Sequence, residues 1–210
     1  MIITGHQPNF LPGMSVMEKI RQADRVIWLD QVQFTSGGFT NRNRISEAWM
    51  TVPVDRRDLF APINRVRIAD HTFRARRKIA RTLEQEIGSA AARYVAELER
   101  PYGLLVGLNH ALIQLLLNDM GITVAQHYQS HLDTGHPVPA VGDDPSQLVP
   151  ARDRLAAMVA ELGGTVWLSG PSGRGYLDEL PFAERGIEVR YLAWDGPNPS
   201  AISSVAAVAA

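Results

Sequence analysis

Two hydrophobic rhythms alternate along this chain: short unbroken apolar runs, and apolar stripes spaced three and four residues apart. Ile2 to Thr4 and Arg25 to Leu29 are runs that predict buried strands, and between them Val16, Met17 and Ile20 share one side of a helix over Met14 to Gln22. Pro12-Gly13-Met14-Ser15 supplies the helix start, with Ser15 as the predicted N-cap. Together they make a βαβ unit. Trp49 to Val54 alternates and predicts a strand leading out of a loop over Asn41 to Arg44. Thr72 to Arg100 reads as a long helical region, dented at Gly88-Ser89 and stopped by Pro101. Tyr102 to Met120 is a second helix, closed by Gly121.

Ile122 to Gln126 then predicts a strand. His131 to Pro150 is rich in Pro, Gly and Asp and reads as a loop or lid. Arg152 to Leu162 carries Leu155, Met158, Val159 and Leu162 on one helical face and closes at Gly163-Gly164. Thr165 to Ser169 is a strand, Leu177 to Arg185 a short helix, and Ile187 to Leu192 a last strand. The Ala- and Val-rich end is a helix or a frayed tail. Alternating strands and helices predict an α/β fold with a mainly parallel, Rossmann-like sheet. The expectation is one domain over residues 1–210, with the helices of residues 70–121 as an insertion or cap.

Composition narrows the function classes. Apolar residues make up 45% and charged residues 20%, the ordinary globular range. A net charge of −1 gives no long-range field for nucleic acid or anionic membrane, so neither is an expected partner. A local basic patch stays open, because Arg42, Arg44, Arg56, Arg57, Arg65 and Arg67 lie close in sequence. Absence of cysteine removes disulfides, thiolate metal sites and a Cys nucleophile, and fits a reducing compartment. The start has no signal-peptide pattern, and the apolar stretch Leu104 to Leu117 is broken by Gly107, Asn109, His110 and Gln114. A cytoplasmic location is expected.

Polar residues gather behind predicted strands, where open α/β sheets bind ligands. The expectation is one site assembled from three strand ends. After the first strand come Gly5-His6-Gln7-Pro8-Asn9. His6 offers an acid/base group or a phosphate donor, and Gln7 and Asn9 offer uncharged amides for a carbonyl or phosphoryl oxygen. The bland alternative is a rigid proline turn whose amides satisfy backbone groups. Asp30 follows the second strand, with Gln31 and Gln33 after it. Its carboxylate could orient His6, bind a metal or accept an amine, or simply cap the next turn.

Asn41-Arg42-Asn43-Arg44 alternates amides with guanidiniums, a pattern suited to gripping phosphates or carboxylates, against the reading of a solvated basic loop. Ser169-Gly170-Pro171-Ser172-Gly173-Arg174-Gly175-Tyr176 follows a strand, and its glycines let backbone approach a ligand. It matches no complete phosphate-loop template, so an ordinary strand-to-helix turn stands beside that reading. His127, His131 and His136 lack chelating helical spacing, so no metal site is assigned. Asp143-Asp144 reads as a solvated turn, and Trp28 and Trp167 read as core.

These blocks resemble the WbqC-like protein family. The resemblance rests on His6-Gln7-Pro8-Asn9-Phe10-Leu11-Pro12, Ala23-Asp24, Leu29-Asp30-Gln31-Val32-Gln33-Phe34, Asn41-Arg42-Asn43-Arg44-Ile45, Thr51-Val52-Pro53-Val54, Trp167 to Gly173 and Tyr176-Leu177-Asp178. It implies a role in the chemistry of surface polysaccharides, amino sugars or secondary metabolites, with N-acyl or aminoacyl transfer to an amine. Similar proteins carry Ser-x-x-Asp near the C-terminus, before a leucine-rich helix. The matching stretch here is Ser200-Ala201-Ile202-Ser203, without the acid. A looser, fold-level similarity is to the nucleotidylyltransferase and pantothenate-synthetase group, whose two-His spacing is missing because His6 stands alone.

The leading expectation is therefore a biosynthetic transferase forming an amide bond on a small amine. His6 is its acid/base and Asp30 the orienting acid. Gln7, Asn9, Gln33, Asn41, Arg42, Asn43, Arg44, Ser169, Gly170, Ser172, Gly173 and Tyr176 bind substrate. The cofactor is unassigned, with ATP or another nucleotide and magnesium as the candidate. The partners are a small-molecule substrate and an acyl-carrier or nucleotide-linked donor, and a homo-oligomer is compatible with all of this. The alternatives are an ATP-using ligase or nucleotidylyltransferase-like enzyme, and a ligand-binding or assembly protein without turnover.

Overall fold

A computed structural model describes residues 1–45, 48–135 and 152–208, with backbone only for 206–208. The chain forms two compact units. The first takes Met1–His6, Glu18–Gln31 and Val124–Gly196, and the second takes Gln7–Met17, Val32–Thr123 and Pro197–Ala210.

The first unit is built on five parallel strands: β1 (Ile2–His6), β2 (Arg25–Trp28), β5 (Ala125–Tyr128), β6 (Val166–Ser169) and β7 (Glu188–Tyr191). Their order is β5-β2-β1-β6-β7, so in order of appearance the strands run 3-2-1-4-5, the Rossmann arrangement. β1 pairs on both edges, with Ile3 opposite Arg25 on one side and Trp167 on the other. Helices α5 (Arg154–Glu161) and α6 (Leu180–Ala183) belong to this unit. Its core gathers Ile3, Ile27, Val159, Trp167, Phe182 and Ile187. Trp167 stacks on Phe182 with ring centroids 5.9 Å apart. The fully buried Trp28 and the nearly buried Trp167 are core, as their mid-strand positions predict.

The second unit holds α2 (Phe73–Ile87), α3 (Ala91–Glu99), α4 (Leu105–Asp119) and the hairpin β3 (Arg42–Ile45) and β4 (Ala48–Thr51), with α7 (Ile202–Val208). α1 (Met14–Arg21) is divided between the units at Met17 and Glu18. The predicted dent at Gly88 is a full break: Gly88 to Ala90 form a 3-10 turn, and Gly88 takes φ +56°. α4 buries Leu105, Leu108, Leu112, Ile113, Leu116 and Leu117, and Gly121 closes it at φ +60°.

Several predicted boundaries move. Asn41 to Arg44 is not a loop: Arg42 begins β3, and Arg42 to Ile45 pair antiparallel with Ala48 to Thr51. The alternation of amide and guanidinium there is that of a two-faced hairpin strand. The strand predicted over Ile122 to Gln126 is shifted to Ala125–Tyr128, where its register against β2 sets it. Ser15 is not an N-cap. It lies inside α1, and the Asn198 side chain accepts its N–H at 2.9 Å. Gln129–His131 and Asp133–Gly135 form 3-10 turns, and 136–150 of the predicted loop or lid, with His136 and Asp143-Asp144, lie outside the described residues. Among the described residues, no helix is long and apolar enough to cross a membrane.

Trp167→Ala removes a large buried ring from the first unit. Its expected cost is about 3–5 kcal/mol of stability, read as a lower midpoint in denaturant unfolding. A loss below about 1 kcal/mol would contradict the packing described here.

Candidate functional site

In the first unit the ends of β2, β1 and β6 are neighbours, so the three predicted strand ends lie side by side. The strand order reverses between β1 and β6, the position where open parallel sheets hold ligands. His6 closes β1 there and Ser169 closes β6. Gly170 follows, then a 3-10 turn over Pro171–Gly175. This turn packs so closely that a Cβ on Gly173 would fall 2.1 Å from the Ser169 hydroxyl oxygen, which explains the glycine. Ser169 is buried, whereas Ser172 and Tyr176 are exposed.

His6 is half-buried at the end of β1, with its ring surrounded by protein. Burial first, and the nearby ammonium of Lys19 second, push its pKa down to about 3, so the imidazole is neutral at working pH. Lys19 projects from α1, is 5% exposed, and donates to the Gly5 carbonyl at 2.8 Å. Burial lowers its pKa to about 8. Asp30 is buried beyond the end of β2, and its carboxylate accepts the Ser130 N–H at 2.9 Å and the Ser130 hydroxyl at 2.6 Å. The charge of Asp30 adds to burial in lifting the Tyr128 phenol to about 12.

In the second unit the amides serve architecture as well as a pocket. Leu11 takes φ +43°, a left-handed conformation that a branched residue avoids. Its carbonyl accepts from the Asn43 amide and, at 2.8 Å, from the Ser200 hydroxyl. Asn109, fully buried in α4, donates to the Pro8 and Thr40 carbonyls, both at 2.7 Å. The Thr40 hydroxyl lies 3.4 Å from the Gln7 oxygen and 3.5 Å from that of Asn9. Asn41 donates to the Val52 carbonyl at 3.0 Å. Among the described residues, no donor reaches the buried side-chain oxygens of Asn41 and Asn109.

A pocket of about 550 Å³ lies within this unit, lined among others by Phe39, Asn43, Arg44, Trp49, Glu86 and Ser203. Arg42 lies over the Trp49 ring at 4.4 Å and donates to the Gly37 carbonyl. Gln33 is exposed and bridges to Pro62. The basic patch is partly neutralised: Arg67 pairs with Asp58 at 2.7 Å and Arg57 with Asp55.

His6, Asp30, Ser169, Gly170, Ser172, Gly173 and Tyr176 thus belong to the first unit, and Gln7, Asn9, Gln33 and Asn41 to Arg44 to the second. His127 lies 3.5 Å from Arg25, and His131 lies against the Tyr128 ring. Among the described residues, no three His, Asp or Glu side chains are grouped to hold a metal.

Sequence reading missed Lys19, Ser130 and Asn109. Lys19 and Asn109 left a signal, each being a polar residue on an otherwise apolar helical stripe. Ser130 left none.

The family model for the WbqC-like protein family matches residues 7–200, and the chain belongs to that family. The uncharacterized protein Rv1507c of Mycobacterium tuberculosis is 29% identical over 205 residues, which cover 90% of this chain and 81% of the relative. No solved structure matches the chain.

Asn109→Ala strands two buried carbonyls and should cost on the order of 2–4 kcal/mol, measured by chemical denaturation. A neutral result would deny Asn109 its clamping role. His6 sets a pH dependence. Its folded pKa, about 3, lies below the ordinary histidine value of 6.5, so between them the unfolded state binds the extra proton. Stability from this group is therefore present above pH 6.5 and lost as pH falls toward 3. A His6→Gln variant should show a shallower loss over that window, and a slope equal to the parent's would refute the buried neutral ring.

Proposed function

We propose that this member of the WbqC-like family is a small-molecule biosynthetic transferase that forms an amide bond, moving an acyl or aminoacyl group to the amine of a sugar-linked or secondary-metabolite intermediate. The observation that carries the reading is His6, a neutral imidazole at the strand-order reversal of a parallel sheet. Amide formation makes a C–N bond and breaks the bond from the acyl carbon to its carrier. The attacking amine must lose a proton, which a neutral imidazole can accept and an imidazolium cannot. His6 then returns that proton to the departing carrier group. Asp30, held by Ser130 beyond the end of the neighbouring strand, is given the part of an acid that orients the imidazole or takes the amine proton. The donor in this reading is acyl-carrier-bound or nucleotide-linked.

In the second unit, Phe39 and Trp49 offer aromatic faces and Asn43 and Arg44 offer polar contacts. That lining suits a small polar molecule.

A second reading, adenylyl transfer or ATP-dependent ligation, draws support from the Rossmann strand order and from the close turn Pro171–Gly175. The backbone N–H groups of that turn would hold phosphate, with magnesium supplied by the solvent. Calorimetric titration with ATP and magnesium chloride separates the two, since the leading reading with a carrier-bound donor gives no heat.

The transferase reading is tested by producing the parent, His6→Ala and Asp30→Asn in a host that makes the pathway intermediates, then quantifying acylated amine by mass spectrometry. His6→Ala should lower product roughly 100-fold or more and Asp30→Asn roughly 10-fold or more. Full product from both variants, each shown to be folded, would remove these roles.

A further inference from the structure

We infer that the Lys19 ammonium is the seat of a compact oxyanion, a carboxylate or phosphate group, bound at the carboxyl end of β1 in the first unit. An ammonium has three N–H donors and no acceptor. Among the described residues Lys19 uses one of them, on the Gly5 carbonyl, and makes no ion pair with a carboxylate. A buried charge normally has a partner, because an uncompensated one forfeits its hydration for nothing. Here an amide carbonyl supplies only a partial charge, and two donors are left for a ligand.

The residue type points the same way. Of the chain's 21 Lys and Arg residues, lysines stand only at positions 19 and 78. Lys19 is buried while Lys78 is exposed. An ammonium is a compact point charge that can hold a small anion without the broad fork of arginine. The location adds an independent argument. Lys19 comes from the helix that follows β1, and its bond partner Gly5 immediately precedes His6 at the strand-order reversal. A Cβ on Gly5 would fall 2.7 Å from the Trp167 ring, so strand, helix and ring are closely fitted around this point.

The oxyanion would have a consequence for His6. The Lys19 ammonium is a charge that acts on that ring, holding its pKa down alongside burial. An anion on Lys19 offsets that charge, and the imidazole becomes a stronger base when ligand is present. This coupling rests on the transferase reading, whereas the anion site stands without it.

The test uses the full chain and two probes, sodium phosphate and sodium acetate, each against sodium chloride at matched ionic strength. The parent should show a saturable rise in melting temperature with one probe, and which probe acts identifies phosphate or carboxylate. Lys19→Met should start from an equal or higher melting temperature and lose the response. Lys19→Gln is the second variant, used where the first does not fold, and should lose it too. In histidine ring spectra, the saturating probe should raise the His6 titration midpoint by about one unit or more. Absence of response to either probe in the parent, or an equal response in a folded Lys19 variant, would overturn the anion site, and an unmoved His6 midpoint would overturn the coupling to His6. His6→Ala should keep the anion response, so failure of the transferase reading and failure of the anion site are read separately.

Discussion

The double pairing of β1 is the constraint on which the first unit rests. As the central strand it is hydrogen-bonded to β2 on one edge and β6 on the other, and both ladders run parallel. Parallel strands need crossover connections, so β1 can be central only if long segments return to flank it. Its side chains are correspondingly buried, and Gly5 is admitted because the Trp167 ring leaves no room for a Cβ. The strand delivers His6 to a fixed place on the carboxyl edge, and the chemistry open to that imidazole follows from the burial that accompanies this place. A histidine at the rim of the same sheet would titrate near neutrality. Here burial and a neighbouring ammonium hold it neutral.

The second unit solves a different problem, the immobilisation of irregular backbone. A loop with two prolines and a left-handed leucine cannot satisfy its carbonyls by regular pairing. Side chains from distant segments do so instead: Asn43 from β3, Asn109 from α4 and Ser200 before α7. Polar residues that look available for ligands from sequence are partly consumed in this way. Asn43 both anchors Leu11 and lines the pocket of its own unit. The buried oxygens of Asn41 and Asn109 remain as acceptors.

The fold class was legible because its elements announce themselves locally. Runs such as Val-Ile-Trp in β2 and the glycines after α4 and α5 depend on residues within a few positions of one another. What sequence could not carry was register and partner choice. β5 begins three residues later than expected because its pairing with β2, not its apolar run, decides its limits. Arg42 to Ile45 read as a loop because amides and guanidiniums are poor strand formers, and only their antiparallel partner makes them one. At the candidate site, His6, Asp30 and the Ser169 turn stood out through their place behind apolar runs. Lys19 was passed over despite its place on an apolar stripe, because a cation in a helix is ordinarily solvated and its burial depends on tertiary packing.

The anchoring of the first loop by the far end of the chain carries a consequence for biosynthesis. Met14 donates to the Pro199 carbonyl, Ser15 to Asn198, Ala201 to the Pro12 carbonyl, and Ser200 to Leu11. Ribosomes emit this chain from the other end, at roughly 5–20 residues per second. The segment that contains Leu11 is therefore made well before the residues that fasten it. Its strained backbone waits, without its clasp, until Asn198 to Ala201 have been added.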